Sequence, residues 1–399
     1  MDKIELLAPA GNLEKAKIAL MYGADAVYVG GKAFSLRARA SNFNIQEIKE
    51  LVVFAHQKNK KVYVTMNIIP HDSDFNNLDE YLKELETINV DAIIVSSLYI
   101  MKRAREIAPL LEVHVSTQKS TTNVDTIEYY QEKGATRVVL AREVSLEEMI
   151  NIKEKTSVEL EVFIHGGMCS SYSGHCVLSN HMTNRDANRG GCAHSCRWNY
   201  SLVKNGETLP KTYNIGSKDL MAVEYIPKLI DAKIASLKIE GRMKSVYYLA
   251  CVVRAYRMLI DKYYETGVLE KEFKDYIISE IGKAENRITN IGFFKGIPGF
   301  DGQLYDNRSE IPTQEYAAFV LEYDETKKMA LVEQRNYLVL NDQIEVFGPN
   351  LKSQYLLVDK MIDFETNEEL EVARHPLQKF WINMPFKVSY ADLIRVIKK

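Results

Sequence analysis

The chain is poor in the residues and patterns that mark several large protein classes. It has five cysteines, two tryptophans and ten prolines in 399 residues. No apolar run approaches the roughly 20 residues of a membrane-spanning helix. The N-terminus, MDKIELLAPAG, has no long apolar stretch after a basic start, so no secretory signal is expected. Neither sign of charge is in large excess: 51 Lys and Arg stand against 54 Asp and Glu. Any contact with nucleic acid must therefore be a local patch. H-E-x-x-H, G-x-S-x-G and a complete P-loop are all missing, which excludes zincin, α/β-hydrolase and P-loop NTPase chemistry. GGKAF at 30–34 keeps only a Gly-Lys pair, and HGG at 165–167 lacks the nucleophile elbow an esterase needs. The expectation is a cytoplasmic enzyme of two or three domains, with neither membrane nor DNA as a partner.

What is present is unevenly placed. Four of the five cysteines, Cys169, Cys176, Cys192 and Cys196, fall within 28 residues, at spacings C-x6-C, C-x15-C and C-x3-C. Four gathered thiolates suit a soft metal centre, either an iron–sulfur cluster or tetrahedral zinc. The C-x2-C pairs of zinc ribbons are absent, which favours iron–sulfur. Two disulfides are the alternative, but nothing else suggests an oxidising compartment. Cys251, in YYLACVVRAY, is expected in the core.

Short β-rich runs alternate with amphipathic helical ones along the first two thirds. The strands are expected at 4–10, 26–31, 61–68, 92–97, 112–117, 137–143, 159–166 and 236–242. Eight strands, each followed by a helix candidate, predict an α/β chain folded as a closed (β/α)8 barrel. About seventy residues separate the last two strands, and all four clustered cysteines lie there. An insertion after a barrel strand emerges at the C-terminal mouth, where active sites sit in this fold. The expected domains are a barrel over 1–285 with an insertion at 167–212, a Gly- and Pro-rich linker at 286–314, and an all-β domain at 315–399.

Period-two alternation places Glu161, Phe163 and His165 on one face of the seventh strand. It likewise sets Lys238, Glu240 and Arg242 on one face of the eighth, His114 on the fifth, and Tyr63 and Asn67 on the third. With the helices covering the apolar faces, these groups should line the barrel or its mouth. So many ionisable groups are costly there unless they serve a ligand or satisfy one another. Two segments flanking the expected mouth are locally basic. Residues 181–211 carry five basic side chains, Arg197 among them, against two acidic, and residues 237–262 carry six against two. A basic rim on an acidic chain suits a phosphate-bearing partner.

The runs EVFIHGGMCSSYSGHCVLS, RDANRGGCAHSCRW and SLKIEGRMKSVYYL resemble the collagenase-like peptidase family of unknown catalytic type. They are most similar to the branch that hydroxylates the wobble uridine of tRNA. The likeness runs from LLAPAGNLEKA into the C-terminal β domain. It implies a [4Fe–4S] cluster on the four cysteines, a prephenate-related carboxylate as co-substrate, and tRNA as partner. His165, Glu240 and Glu161 are then the candidates for proton transfer. Lys238 and Arg242 would pair with the metabolite's carboxylates, with His114 and Asn67 beside it, and Tyr28 or Tyr63 would stack on base or metabolite. Arg197, on the insertion, would hold RNA. A peptidase, or a non-catalytic iron–sulfur RNA-binding protein, is the alternative; no nucleophile–base pair or hydrolytic metal motif is present for the former.

Overall fold

The computed structural model describes residues 3–36, 42–284, 287–305 and 313–397. Seven parallel strands follow one another round a ring: β1 (Glu5–Pro9), β2 (Ala26–Gly30), β3 (Lys61–Met66), β4 (Ala92–Val95), β5 (Glu112–Val115), β6 (Arg137–Val139) and β7 (Glu159–Gly166). The insertion supplies β8 (Tyr200–Lys204), β9 (Glu207–Ser217) and β10 (Asp219–Met221). The eighth stave, β11 (Ser236–Ile239), pairs with both β1 and β7 and closes the ring. Its strands are buried on both faces because helices cover the outside and side chains fill the inside.

Those helices are α1 (Leu13–Met21), α2 (Ile45–His56), α3 (Leu78–Thr87), α4 (Leu98–Ile107), α5 (Val124–Glu132) and α6 (Leu146–Lys155). After the insertion's short α7 (Leu178–Thr183) come α8 (Ile226–Asp231), α9 (Val246–Thr266) and α10 (Lys271–Gly282). Local sequence fixes their starts. Asn44 with Glu47, and Ser145 with Glu148, form reciprocal capping boxes, and Ser245 accepts from Tyr248 N–H to begin α9.

The segment expected as a linker is part of the fold. Within it β12 (Thr289–Asn290) pairs with β10, and β13 (Gln303–Tyr305) pairs with β9. The insertion also extends past residue 212, because β10 runs antiparallel to the end of β7 and continues its sheet. Glycine and proline mark turns in 287–305, but pairing there depends on partners about seventy to ninety residues away.

The C-terminal all-β unit is antiparallel. It comprises β14 (Gln314–Asp324), β15 (Met329–Gln334), β16 (Leu338–Val339), β17 (Gln343–Phe347), β18 (Gln354–Leu357), β19 (Met361–Asp363), β20 (Val372–Ala373), β21 (Lys379–Asn383) and β22 (Leu393–Ile397). It docks firmly on the barrel. Phe319, Phe347, Ala391 and Leu393 join the barrel's apolar core, and Tyr22 Oη donates to Ala391 O at 2.8 Å. Arg395, fully buried, bonds Glu345 at 2.6 Å and Glu280 of α10 at 3.0 Å. Among the described residues no helix is long and apolar enough to cross a membrane.

Candidate active site

The lower barrel is filled by a closed ionic network. Arg137 Nη1 lies 2.6 Å from Glu5 and 3.3 Å from Glu161, and Lys238 Nζ lies 2.6 Å from the other Glu161 oxygen. Ser236 and Tyr63 hydroxyls both donate to Glu5, at 2.7 and 2.5 Å. Burial works against the Glu161 charge, but Lys238 and Arg137 outweigh it and hold the carboxyl below its usual range. The His114 ring packs edge-on against Tyr63 at 4.8 Å, its Nε2 lies 3.4 Å from Glu112, and burial pulls its imidazole below the ordinary range against that carboxylate. Glu161, Lys238 and, through Glu5, Tyr63 are therefore satisfied within this network beneath the mouth. This network already engages Lys238, expected to receive a ligand carboxylate, and Tyr63, expected to stack on base or metabolite. Tyr28 sits just above, its ring 4.5 Å from Lys238 Nζ and its hydroxyl donating to Ile239 O at 2.9 Å.

Two further placements depart from simple alternation. In β7, Phe163 pairs with Lys238 but His165 pairs with Ile239, so the strand carries an extra residue there. That bulge turns His165 away from Glu161 and onto α9, where its Nδ1 lies 3.3 Å from Tyr256 Oη and its ring faces Tyr248. In β11 the strand ends at Ile239, and the turn through Gly241 (φ 149°) splays the next charges apart. Glu240, Lys238 and Arg242 thus do not share one stave. Glu240 Oε2 accepts the Gly167 N–H at 3.1 Å, towards the insertion. Arg242 crosses to the other wall, donating to Ser35 at 2.9 Å, Thr65 at 3.4 Å and Asn42 at 2.8 Å. Gly30 makes room: a Cβ there would meet Arg242 Nη2 at 2.0 Å. Gly166, at φ 103°, likewise lets Glu240 O approach. Asn67 is close by, accepting from Leu36 N–H at 3.2 Å and reaching Ser116 at 3.5 Å.

Arg142, not singled out from sequence, stands at the mouth above this network. Its guanidinium lies 4.0 Å over the Phe163 ring, whose other close cation is Lys238. It follows β6, four strands round the ring from β2, whereas the Arg242 head lies by Ser35 and Thr65, after β2 and on β3. The signal was available: in RVVLARE, Arg142 follows the strand that Arg137 begins.

The insertion spans this mouth. Arg189 bonds Asp74 (Nη2 to Oδ1, 2.9 Å) in the loop after β3, and Ser173 N–H donates to Glu143 after β6 at 2.6 Å. Arg197 Nη2 donates to Met168 O at 3.2 Å. Asp219, buried at the start of β10, pairs with Arg287 at 3.3 Å. Burial lowers the Arg197 pKa, and the nearby Arg287 charge lowers it further, against Asp219, Cys196 and Glu240. Asp219 and Arg287 carried no motif and were missed.

No disulfide joins any of the five cysteines. Burial pushes the Cys196 thiol up; Ser170 and Arg197 oppose that, and Cys169 and Cys192 are close enough to add to it. Asn188 clamps Cys176 in both directions, accepting its N–H at 3.3 Å and donating to its O at 3.0 Å, and Cys176 Sγ accepts the Leu178 N–H at 3.3 Å. Among the described residues no three His, Cys, Asp or Glu side chains converge on a single-ion site. Cys251 is buried against Arg395, as expected of a core residue.

Family models for peptidase family U32 match residues 11–303, and its C-terminal domain matches residues 312–395. The chain belongs to the peptidase U32 family. It is 45% identical to tRNA hydroxylation protein P1 of Bacillus subtilis, over 98% of this chain and 94% of that protein. It is 31% identical to tRNA hydroxylation protein P of Haemophilus influenzae, over 98% of this chain and 96% of that one. A 23S rRNA 5-hydroxycytidine synthase of Escherichia coli is 38% identical over 65% of this chain and 39% of its own length. The U32 resemblance seen in the cysteine-bearing runs thus extends over both domains.

Proposed function

We propose that this U32 protein is an RNA-modifying enzyme that hydroxylates C5 of the wobble uridine in tRNA. The observation that carries this reading is the mouth itself. Arg142, Arg242, Glu240 and a cysteine-bearing insertion converge on one opening, in a chain whose full-length relatives are named for tRNA hydroxylation. A stacked base cannot reach groups set in a barrel mouth, so the target nucleotide flips out of the anticodon loop to enter. Glu240, half-buried and fixed by the Gly167 N–H, is the group positioned to move a proton at the base. Arg242 and Arg142 hold the carboxylates of a prephenate-related co-substrate, with Arg142 taking the role that Lys238 gives up to Glu161.

Cys169, Cys176, Cys192 and Cys196 would hold a [4Fe–4S] cluster; four thiols on one insertion, three of them close enough to influence one another, are a donor set of that chemistry. Bound there, the cluster would supply electron transfer or a Lewis-acidic iron beside the mouth. The deciding experiment is mass spectrometry of tRNA nucleosides from a cytoplasmic extract of a deletion strain, with and without this gene. Loss of 5-hydroxyuridine derivatives, restored by the gene, is expected. An unchanged nucleoside profile, with cleavage of gelatin by pure protein, would overturn the reading in favour of a peptidase.

A further inference from the structure

A second cleft lies outside the barrel mouth, on the far side of Arg197. It has a volume of about 280 Å³ and is lined by His194, Arg197, Trp198, Asn214, Arg287 and Leu304. Its walls come from the insertion and from the 287–305 segment that the sequence presents as a linker. The volume is at the small end of ligand clefts, suited to one nucleotide unit and too small for a duplex.

The two arginines are held so that their heads stay available. The Arg197 stem lies along Gly216, where a Cβ would meet its Cγ at 3.0 Å, and one N–H goes to Met168 O. Arg287 gives one bond to Asp219. A guanidinium has five N–H donors, and among the described residues no other bond is made by either. The carboxylates of Asp219 and Glu240 lie on the barrel side, and Glu240 is engaged by Gly167. At the rim, Trp198 is 40% exposed, and in the KGIPGF run that leads along the chain to Leu304 Phe300 is 86% and Ile297 91% exposed. Large apolar side chains left bare beside paired guanidiniums are the makings of a single-stranded nucleic-acid platform: cations for the backbone, flat faces for the bases.

We infer that this cleft binds the nucleotide next to the one delivered to the barrel, with its phosphate between Arg197 and Arg287, its base on Trp198, and Phe300 under the following base. The inference rests on the tRNA reading above and adds to it a defined second site. It assigns a task to the 287–305 segment, which closes the cleft through β12 and β13.

The test is anisotropy titration of the full chain with labelled unmodified tRNA transcript across a KCl series, and separately with prephenate. Arg287→Ala should weaken RNA binding about fivefold to tenfold and reduce the salt slope by about 1. Trp198→Ala should weaken it about tenfold with the slope unchanged, and Phe300→Ser should weaken it about threefold, also without a change of slope. Wild-type affinity in all three variants overturns the inference and leaves the tRNA reading intact. Loss of prephenate binding in Arg287→Ala, with RNA binding kept, overturns it in favour of a carboxylate site. If the wild-type protein fails to bind tRNA, both fall. Should Arg287→Ala misfold, Trp198→Ala and Phe300→Ser decide, because both side chains are at the surface.

Discussion

Lys238 Nζ and Glu161 Oε1 are 2.6 Å apart in the closed middle of the barrel, both side chains buried. Each charge exists there because of the other, and Arg137 and Glu5 extend the balance downwards. Breaking such a pair leaves a buried unpaired charge, a loss of about 3–5 kcal/mol. Lys238→Ala and Glu161→Ala should therefore each lower unfolding free energy by that order, with loss of activity following loss of fold. The double variant Lys238→Met with Glu161→Leu should recover much of the stability. Chemical denaturation checks both. A Lys238→Ala protein of wild-type stability but no activity would return Lys238 to the ligand-binding role.

Arg142 and Arg242 are the cations proposed to meet the co-substrate's carboxylates at the mouth. Arg142→Ala should keep the fold, since its contact is a ring face, and lower tRNA hydroxylation at least tenfold. Gly30→Ala should act like a lesion at Arg242 although it adds only a methyl, because the new Cβ would occupy the place of Arg242 Nη2. Nucleoside mass spectrometry of complemented deletion strains measures both. Normal product from Gly30→Ala would mean that Arg242 tolerates displacement and does not position substrate.

The barrel was legible because its strands obey period two and its helices carry their own caps. Every expected barrel strand is present, and only the ends are shorter. Legibility failed where one residue changes the phase. The bulge in β7 sends His165 to α9, and the early end of β11 separates Glu240 from Arg242; neither leaves a mark in the local pattern. It failed also where pairing is remote. Lys379–Asn383 and Leu393–Ile397 are short runs whose strand identity comes from neighbours far along the chain, yet β22 lies between β14 and β17 near the middle of its sheet. The cysteine cluster stands out by spacing alone. Asp219 and Arg287 were not, because each is ordinary in its own segment and matters only beside the other.

Ligand identity on the insertion separates cleanly from Cys251. Cys192→Ala and Cys196→Ala should each empty the site of iron and bleach the visible absorbance of anaerobically purified protein, because ligands of one cluster act as a unit. Cys251 has a thiol pushed up to about 11 by burial and packs against Arg395, so Cys251→Ala should leave iron, sulfide and colour unchanged. Stoichiometric zinc in colourless wild-type protein would replace the cluster with a structural site. Iron lost on Cys251→Ala alone would refute the assignment.

The junction between the domains carries two carboxyls with opposite pH behaviour. Burial works against the Glu345 charge, yet Arg395, Ser353 and Gln314 outweigh it and hold the carboxyl at about 2. Its stabilisation is complete above its unfolded value near 4.5 and is lost as pH falls towards 2. Asp392 is the reverse: burial raises it from 3.8 to about 6, against the Ser389 N–H and Arg254. A raised carboxyl favours the folded state while protonated, so its contribution is greatest below the unfolded pKa and declines as pH rises through the folded one. Asp392→Asn keeps an oxygen for the Ser389 N–H and removes the charge. It should stabilise the protein at pH 7–8 by on the order of 1–2 kcal/mol, the gain expected at about 1.4 kcal/mol per unit once residual screening is allowed for. The gain should shrink between about pH 6 and pH 4 and vanish below. Thermal melts of both proteins over that range test it, and a pH-independent offset would show that Asp392 is not the titrating group.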